Sequence, residues 1–270
     1  MTLTTPKLDL TLTGTGPKVP SWLLKIAVPV LILVVWEAVV QSGLVNATVL
    51  APPSKLPGTV WELIQNGKLP QGILVSSTRA LVGLTIGAIT GVLLAIVAGL
   101  WRNGQYLVDP TVQLLRPLPA TALMPLVVLL LGMDEAPKIF LVSYAAFFPV
   151  YLNTFQGIRD VDNRLIESAA VFGLSRTQLI KQVILPSSMS SFFVGFRFSV
   201  SISWVVLVVA EQLNAQSGIG YLMMDAQRYF RPDIILVGLI VYALFGLGSD
   251  VLVRLVERRV LRWRNTFEGA

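Results

Sequence analysis

Six long apolar runs dominate the chain and are separated by shorter polar segments. A run of about 20 apolar residues, wound as an α-helix, crosses the hydrocarbon core of a membrane, which is ~30 Å thick. The runs lack the short alternating segments that are typical of a transmembrane β-barrel. We therefore predict an all-α integral membrane protein with six transmembrane helices. The predicted spans are Leu23–Gln41, Ala80–Trp101, Thr111–Met133, Pro137–Phe155, Met189–Glu211 and Ile234–Val256.

The composition agrees with this class of protein. Of the 270 residues, 54% are hydrophobic and only 13% are charged, and the mean hydropathy is +0.72. Soluble domains carry about 25% charged residues, so this chain could not cover a soluble surface. It has no cysteine and no histidine. Disulfides, cysteine nucleophiles, zinc sites built on cysteine or histidine, and histidine acid–base catalysis are therefore excluded.

The segments outside the spans divide the chain. Thr, Gly and Pro are abundant in residues 1–22, which show no periodicity, so we predict a disordered cytoplasmic tail there. Residues 23–264 form the predicted membrane domain, and residues 265–270 form a short C-terminal tail. Between the first two spans, the stretch "TVWELIQ" predicts a short amphipathic helix at the membrane interface.

The basic residues predict the orientation. The 21 lysines and arginines exceed the 15 acidic residues, which gives a net charge of +6. In a membrane protein this excess is typical of cytoplasmic loops, so we predict no nucleic-acid partner. Placing both termini in the cytoplasm puts most basic residues inside and leaves Arg79 and Lys138 among the few outside. We predict a multi-pass protein of the cell inner membrane, anchored by the C-terminal "RLVERRVLRWR".

A polar stretch, "ESAAVFGLSRTQLIKQVILP" at residues 167–186, interrupts the apolar runs. Glu167, Ala170 and Leu174 are spaced to lie on one face of a helix. Gly173 falls where that helix would end, and glycine can adopt the left-handed conformation that closes a helix. The orientation above places this stretch in the cytoplasm.

A second short helix is predicted after the glycine. Ser175 is a candidate N-cap, and the helix would run past Lys181 until Pro186 ends it before the fifth span. From the residues alone, two interpretations remain open. The stretch is either a helix–turn–helix held at the membrane surface for a partner, or a solvated loop that only joins two spans.

The same stretch resembles the EAA loop of ABC-importer permeases. Its pattern E-x-A-A-x-x-G, followed nine residues later by "VILP", matches the motif of that loop. The resemblance implies a type I ABC importer transmembrane domain, similar to the methionine permease, in which residues 160–186 dock on a cytoplasmic ATPase subunit. The residues that it assigns to this coupling are Glu167, Ala169, Ala170, Phe172, Gly173, Leu174 and Pro186.

Other segments resemble one branch of the permeases. "LLRPLPATALMPLVVLLLGMDEAPKIFL" and "FPVYLNTFQGIRDVD" are similar to the nitrate/sulfonate/taurine branch, and "VAEQLNAQSGIGYLMMDAQ" is most similar to aliphatic sulfonate permeases. The resemblance covers roughly residues 23–264. It implies inward movement of an aliphatic sulfonate, with taurine, nitrate or bicarbonate as alternatives in the same architecture.

The resemblance also implies partners. They are a second copy of the chain, two cytoplasmic ABC ATPase subunits, an extracytoplasmic solute-binding protein and the lipid bilayer. The sequence contains no G-x-x-x-x-G-K-[ST] motif, so ATP and Mg²⁺ would be bound by the ATPase, with no cofactor in this chain. We therefore expect a permease rather than an enzyme. An ion-coupled secondary transporter is disfavoured because no carboxylate lies clearly at mid-membrane depth.

Small and charged residues within the spans suggest packing and binding roles. Gly83, Gly87 and Gly91 recur every four residues, which lets helices approach closely, either within one subunit or at a moving interface. Glu37 is expected to snorkel to the membrane interface. Glu211 is expected to end the fifth span in solvent or to line the outer mouth. The segment "SGIGYL" predicts either a short outer helix and turn or a plain loop.

Three charged residues fall at similar depth in the inner leaflet. We predict that Arg197 pairs with Asp250, because a charge in hydrocarbon is costly unless it pairs or snorkels. Arg116 would then face the inner pathway and attract an anion. The alternative is that both arginines snorkel to lipid phosphate. The candidate pathway residues are Arg116, Arg197, Ser201 and Asp250.

Overall fold

The computed structural model describes residues 21–263, and these residues are helical apart from short connections. The tails predicted at 1–22 and 265–270 lie outside the described residues, except that Ser21 and Trp22 begin the first helix. The α-helices are α1 Ser21–Gln41, α2 Leu56–Gln65, α3 Lys68–Leu100, α4 Arg102–Leu115, α5 Met124–Leu131, α6 Ala136–Arg159, α7 Asn163–Val171, α8 Arg176–Leu179, α9 Leu185–Asn214, α10 Ile219–Arg228 and α11 Pro232–Val260.

Each of the six predicted spans falls on a helical segment. Among the described residues, four helices, α3, α6, α9 and α11, are long and apolar enough to cross a membrane, and the bent third span would be a fifth. The apolar helix Ile26–Gln41 within α1 is shorter than these four, so the predicted first span stays a prediction. The third span is not the single helix that we predicted. It is broken between α4 and residues 120–131, and its two parts are bent by 86°. Pro117 and Pro119 lie at the break, where each lacks the N–H that would continue a helix.

Helix α3 begins at Lys68 rather than at the predicted Ala80. This extension places Arg79 inside the helix, where it is buried, although the charge distribution suggested an outer loop. The predicted amphipathic helix between the first two spans is confirmed as α2. Leu56 and Leu63 face the core from α2, whereas Trp61 is exposed.

Helix α6 lies at the centre of the fold and packs along both α3 and α9. The glycine stripe of α3 faces it. A methyl group added at Gly83 would come within 2.7 Å of Val142 Cβ, and one added at Gly87 would overlap the Ser143 carbonyl. Gly91 is similarly close to α6. The stripe therefore packs two helices of the same subunit, which confirms the first of the two predicted alternatives.

Helix α1 lies at the edge of the fold with apolar side chains such as Val28 and Leu31 exposed. Its Glu37 does not simply snorkel. The carboxylate accepts hydrogen bonds from the Ser54 backbone N–H, at 3.0 Å, and from the Ser54 hydroxyl, at 2.7 Å. Glu37 therefore ties α1 to the short 3₁₀ turn Pro53–Lys55 that precedes α2.

We predict that Gly87→Ala destabilises the protein by about 1–3 kcal/mol, because the added methyl group has no space against α6. The matched control is Gly246→Ala in α11, where no atom lies within 4 Å of the added methyl group. Thermal unfolding of the detergent-solubilised protein measures both variants. Equal stability of the two would contradict the packing assignment.

Candidate functional site

The turn after α7 has the geometry of a helix C-terminal cap. Gly173 has φ +72°. The Leu174 N–H donates to the Ala169 carbonyl at 3.1 Å, and the Gly173 N–H donates to the Ala170 carbonyl at 3.0 Å. This pair of hydrogen bonds is a Schellman motif, in which glycine takes the left-handed position. The prediction that Gly173 closes the first helix of the loop is confirmed.

The second helix of the loop begins with a capping box. The Gln178 N–H donates to the Ser175 hydroxyl oxygen at 3.4 Å, and the Ser175 N–H donates to the Gln178 side-chain carbonyl at 2.8 Å. Ser175 is therefore the N-cap, as predicted. Two caps in succession satisfy the free backbone groups on both sides of the turn and hold its shape.

The prediction that Pro186 ends this second helix is wrong. Helix α8 continues through a π-helical turn, Ile180–Ile184, into α9. The Leu185 N–H donates to the Ile180 carbonyl, five residues back. Pro186 lies in the first turn of α9, where its missing N–H interrupts the helix least. The loop is thus joined directly to the fifth span.

The most exposed apolar side chains of the loop are at the end of α7. Val171 is 87% exposed and Phe172 is 82% exposed. Glu167 and Ala170 are also exposed, whereas Ala169 is only 6% exposed. Because the family resemblance predicts a coupling role for this stretch, we call Glu167, Ala170, Val171 and Phe172 the coupling tip and residues 160–186 the coupling loop. The sequence analysis did not include Val171, although its place beside Phe172 before the glycine could have indicated it.

A cavity of about 350 Å³ lies between the broken third span, α6 and α9. Arg116, at the break, lines this cavity. That the residue faces a translocation pathway stays a prediction. Opposite are Tyr144 and Phe148 of α6, and Phe198 and Ile202 of α9. Ser201 is exposed on α9 but is not part of the cavity lining.

The predicted ion pair between α9 and α11 is present. Arg197 Nε lies 3.2 Å from Asp250 Oδ1. Asp250 also accepts a hydrogen bond from Arg254 at 2.7 Å, and Arg197 lies 3.7 Å from Glu257. Asp250 would therefore keep a cationic partner if Arg197 were lost. Arg197 and Asp250 do not line the cavity beside Arg116.

Glu211 is not a solvated helix end. Its side chain has 0% exposure. Its carboxylate accepts hydrogen bonds from four residues. Arg79 Nη1 donates to it at 2.8 Å, and the Ser76 hydroxyl donates at 2.8 Å. The Tyr242 hydroxyl donates at 2.9 Å and the Gly220 N–H at 2.8 Å. A buried carboxylate needs this many partners to offset its lost hydration.

The buried arginine extends this network to the start of α6. Arg79 also donates to the Ser217 carbonyl at 2.6 Å and to the half-exposed carboxylate of Glu135. The hydrogen bonds from Arg79 to Glu135 hold the pKa of the Glu135 carboxyl below its usual value. Lys138 Nζ donates to the Asn214 carbonyl at 2.9 Å. The network therefore joins α3, α6, α9 and the turn before α10. We call Arg79, Glu135, Lys138 and Glu211 the charge network.

The glycines of "SGIGYL" make room for the Glu211 carboxylate. Gly218 has φ +112°, and a side chain there would meet the Glu211 carboxylate at 2.5 Å. A methyl group at Gly220 would lie 2.6 Å from Glu211 Cβ. The segment forms a turn followed by α10, so the plain-loop alternative is wrong.

Sequence comparison identifies the family. Residues 83–262 match the family described as binding-protein-dependent transport system inner membrane component. The chain belongs to this family of permeases. The match includes the loop at 160–186, the cavity and most of the charge network.

Relatives that align with nearly the whole chain indicate its branch of the family. The permease is 42% identical over 252 residues to a protein of Escherichia coli (strain K12) named as an aliphatic sulfonates transport permease, SsuC, covering 92% of this chain and 96% of that protein. It is 40% identical over 254 residues to the like-named SsuC of Bacillus subtilis (strain 168), covering 94% and 92%. It is 29% identical over 245 residues to the taurine transport system permease protein TauC of Escherichia coli (strain K12), covering 89% of each chain.

Solved structures show the same fold at low sequence identity. An inward-facing MetNI methionine ABC transporter matches with a TM-score of 0.51 and 18% identity, covering 73% of the permease and 96% of that chain. An amino acid ABC transporter matches with a TM-score of 0.57 and 19% identity, covering 74% and 97%. The type I ABC importer fold is therefore confirmed, and the relatives are transport permeases rather than enzymes.

We predict that Arg79→Ala destabilises the permease by about 3–5 kcal/mol, because Glu211 would stay buried without its cation. Arg197→Ala serves as the matched comparison and should cost much less, since Asp250 keeps Arg254 as a cationic partner. Thermal unfolding in detergent ranks the two variants. The assignment fails if Arg79→Ala is no more destabilising than Arg197→Ala.

Proposed function

We propose that the permease is the transmembrane subunit of an ATP-driven importer that carries an aliphatic sulfonate into the cytoplasm. The observation that carries the ATP-driven part is the coupling tip, in which Val171 and Phe172 form an exposed apolar projection at the end of α7. Val171 and Phe172 have no place in a loop that serves only as a solvated connection, because water is a poor environment for large apolar side chains.

The loop geometry suggests how movement reaches the membrane. The Schellman turn and the capping box fix α7 relative to α8, and α8 continues through the π turn into α9. A force on the coupling tip would therefore act on the fifth span without an intervening flexible segment. ATP and Mg²⁺ belong to the separate ATPase subunit in this proposal, and the permease contributes the docking surface.

An exposed face of α9 is the proposed contact with a second copy of the permease. Val194, Phe198, Ser201 and Val205 are exposed and fall along one face of α9, next to the cavity. A second copy of the permease is the partner that we propose for this face, so that two copies enclose one pathway. An extracytoplasmic binding protein would deliver the solute. Arg258, Arg259 and Arg262 are exposed at the end of α11, consistent with cytoplasmic termini.

The substrate proposal rests on the relatives. Similarity to the two proteins named as aliphatic sulfonates permeases extends over more than nine-tenths of the chain, at 40–42% identity. The taurine permease is less similar, at 29%. Taurine, nitrate and bicarbonate remain the alternatives within the same architecture.

We predict that Gly173→Val uncouples ATP hydrolysis from transport. A β-branched residue resists positive φ, which strains the turn by about 1–3 kcal/mol. We expect this strain to lower the population of the native turn, and with it the rate of uptake, by roughly tenfold. The matched variant is Gly173→Asn, because asparagine tolerates the left-handed conformation. The assay is ATP-dependent ethanesulfonate uptake into vesicles that contain the complete complex, measured together with ATPase activity. Normal uptake by the valine variant would count against the coupling role.

Cysteine crosslinking tests the contact itself. The chain has no native cysteine, so Ala170→Cys and Phe172→Cys can be paired with single cysteines in the ATPase surface. Both positions should crosslink, because both are exposed at the coupling tip. The control is Ala169→Cys, which is buried and should not react. Failure of both exposed positions across several ATPase partners would contradict docking at the coupling tip.

A further inference from the structure

The cavity beside Arg116 has the size of a small ligand site. Its volume of about 350 Å³ lies in the range of roughly 300–1,000 Å³ that is usual for small-molecule pockets. The break in the third span forms one wall and thereby brings the backbone of residues 116–120 to the cavity. Helices α6 and α9 form the other walls.

Arg116 is the one charged residue among those that line the cavity. Within residues 21–263 its guanidinium lies within 4 Å of no carboxylate, unlike Arg79, Arg197 and Arg231. The last-turn carbonyl of Leu115 accepts the Tyr144 hydroxyl at 2.7 Å, so that carbonyl already has a side-chain partner. Arg116 is exposed at the rim of the cavity that it lines, so its fork of donors is available to oxygen atoms of an anion there.

The rest of the lining is mostly apolar. Phe148, Phe198, Ile202 and Val206 form a continuous wall from α6 and α9, and no carboxylate lines the cavity. A single cation beside an apolar wall is complementary to an anion with a hydrocarbon tail. A small inorganic anion would leave the wall without contacts. The ammonium group of taurine would lose hydration there without gaining a carboxylate.

We infer that this cavity is a binding subsite for an alkanesulfonate, with the sulfonate oxygens on the Arg116 guanidinium and the alkyl chain along Phe148, Phe198 and Ile202. The inference rests on the proposed function and adds the place and the chemistry of solute recognition within the permease. It assigns selection by chain length to the α9 wall. It also makes the permease itself, beside any binding protein, discriminate against taurine.

Equilibrium binding of radiolabelled pentanesulfonate to the complex of permease and ATPase in nanodiscs tests the site. The binding protein is left out because it would bind the probe. We expect Arg116→Gln to raise the Kd at least tenfold and Arg116→Lys to have an intermediate effect. Arg102→Gln, at the other end of α4, is the matched control and should leave the Kd unchanged. Unlabelled taurine should compete at least tenfold more weakly than pentanesulfonate.

A second variant tests the wall independently of the charge. Ile202→Phe fills the cavity and should weaken pentanesulfonate binding far more than methanesulfonate binding. Equal weakening of both probes, or an unchanged Kd in Arg116→Gln, overturns the subsite. If Arg116→Gln lowers the amount of permease in the membrane and leaves the Kd unchanged, Arg116 is an anchor to lipid phosphate and the subsite is wrong.

Uptake by the complete wild-type complex separates the two proposals. If it imports alkanesulfonates while the Arg116 and Ile202 variants bind them normally, the subsite is wrong and the proposed function stands. If the wild-type complex imports nitrate or bicarbonate and no alkanesulfonate, the substrate proposal fails and the subsite fails with it.

Discussion

The close contact of α6 with α3 and α9 is the interaction on which the other sites depend. Glycines allow it on both sides, because Gly87 faces the Ser143 carbonyl and Gly195 faces the Pro149 carbonyl. The side chains of α6 then reach all three sites. Lys138 joins the charge network at one end, Tyr144 and Phe148 line the cavity, and the helix leads into the coupling loop at the other end. A change in how α6 packs would therefore reach each site directly.

Different ion pairs connect the helices at the two ends of this bundle. At the end away from the loop, Arg79 and Glu211 are buried with several hydrogen bonds each, and removal of one partner leaves a charge without compensation. At the loop end, the pair of Arg197 and Asp250 is partly exposed and shares its charges with neighbouring residues. Removal of one partner of this pair leaves the other with a counter-charge, so the loop end depends less on any single pair.

The coupling loop shows how far local sequence predicts structure. Gly173 and Ser175 act through hydrogen bonds to residues within five positions along the chain, so their roles as helix cap and N-cap could be predicted without tertiary information. The error at Pro186 has the same local origin. Proline usually ends a helix, yet the π turn before it lets the helix continue, and nothing in the residue pattern indicates a π turn.

The sequence by itself determined the class of protein, the approximate places of its apolar helices and the two caps of the coupling loop, because apolar run length and capping chemistry depend on neighbouring residues. The break in the third span and the extension of α3 to Lys68 were seen only in the structure. It also predicted that Arg197 meets Asp250, since both lie at similar depth. Only the tertiary structure decided that Arg79 and Glu211 form a buried pair. The sequence suggested an outer loop for Arg79 and a solvated helix end or the outer mouth for Glu211, and the two residues are far apart along the chain. Their contact depends on how α3, α9 and α10 pack, and the cost of burying an unpaired charge makes that packing specific.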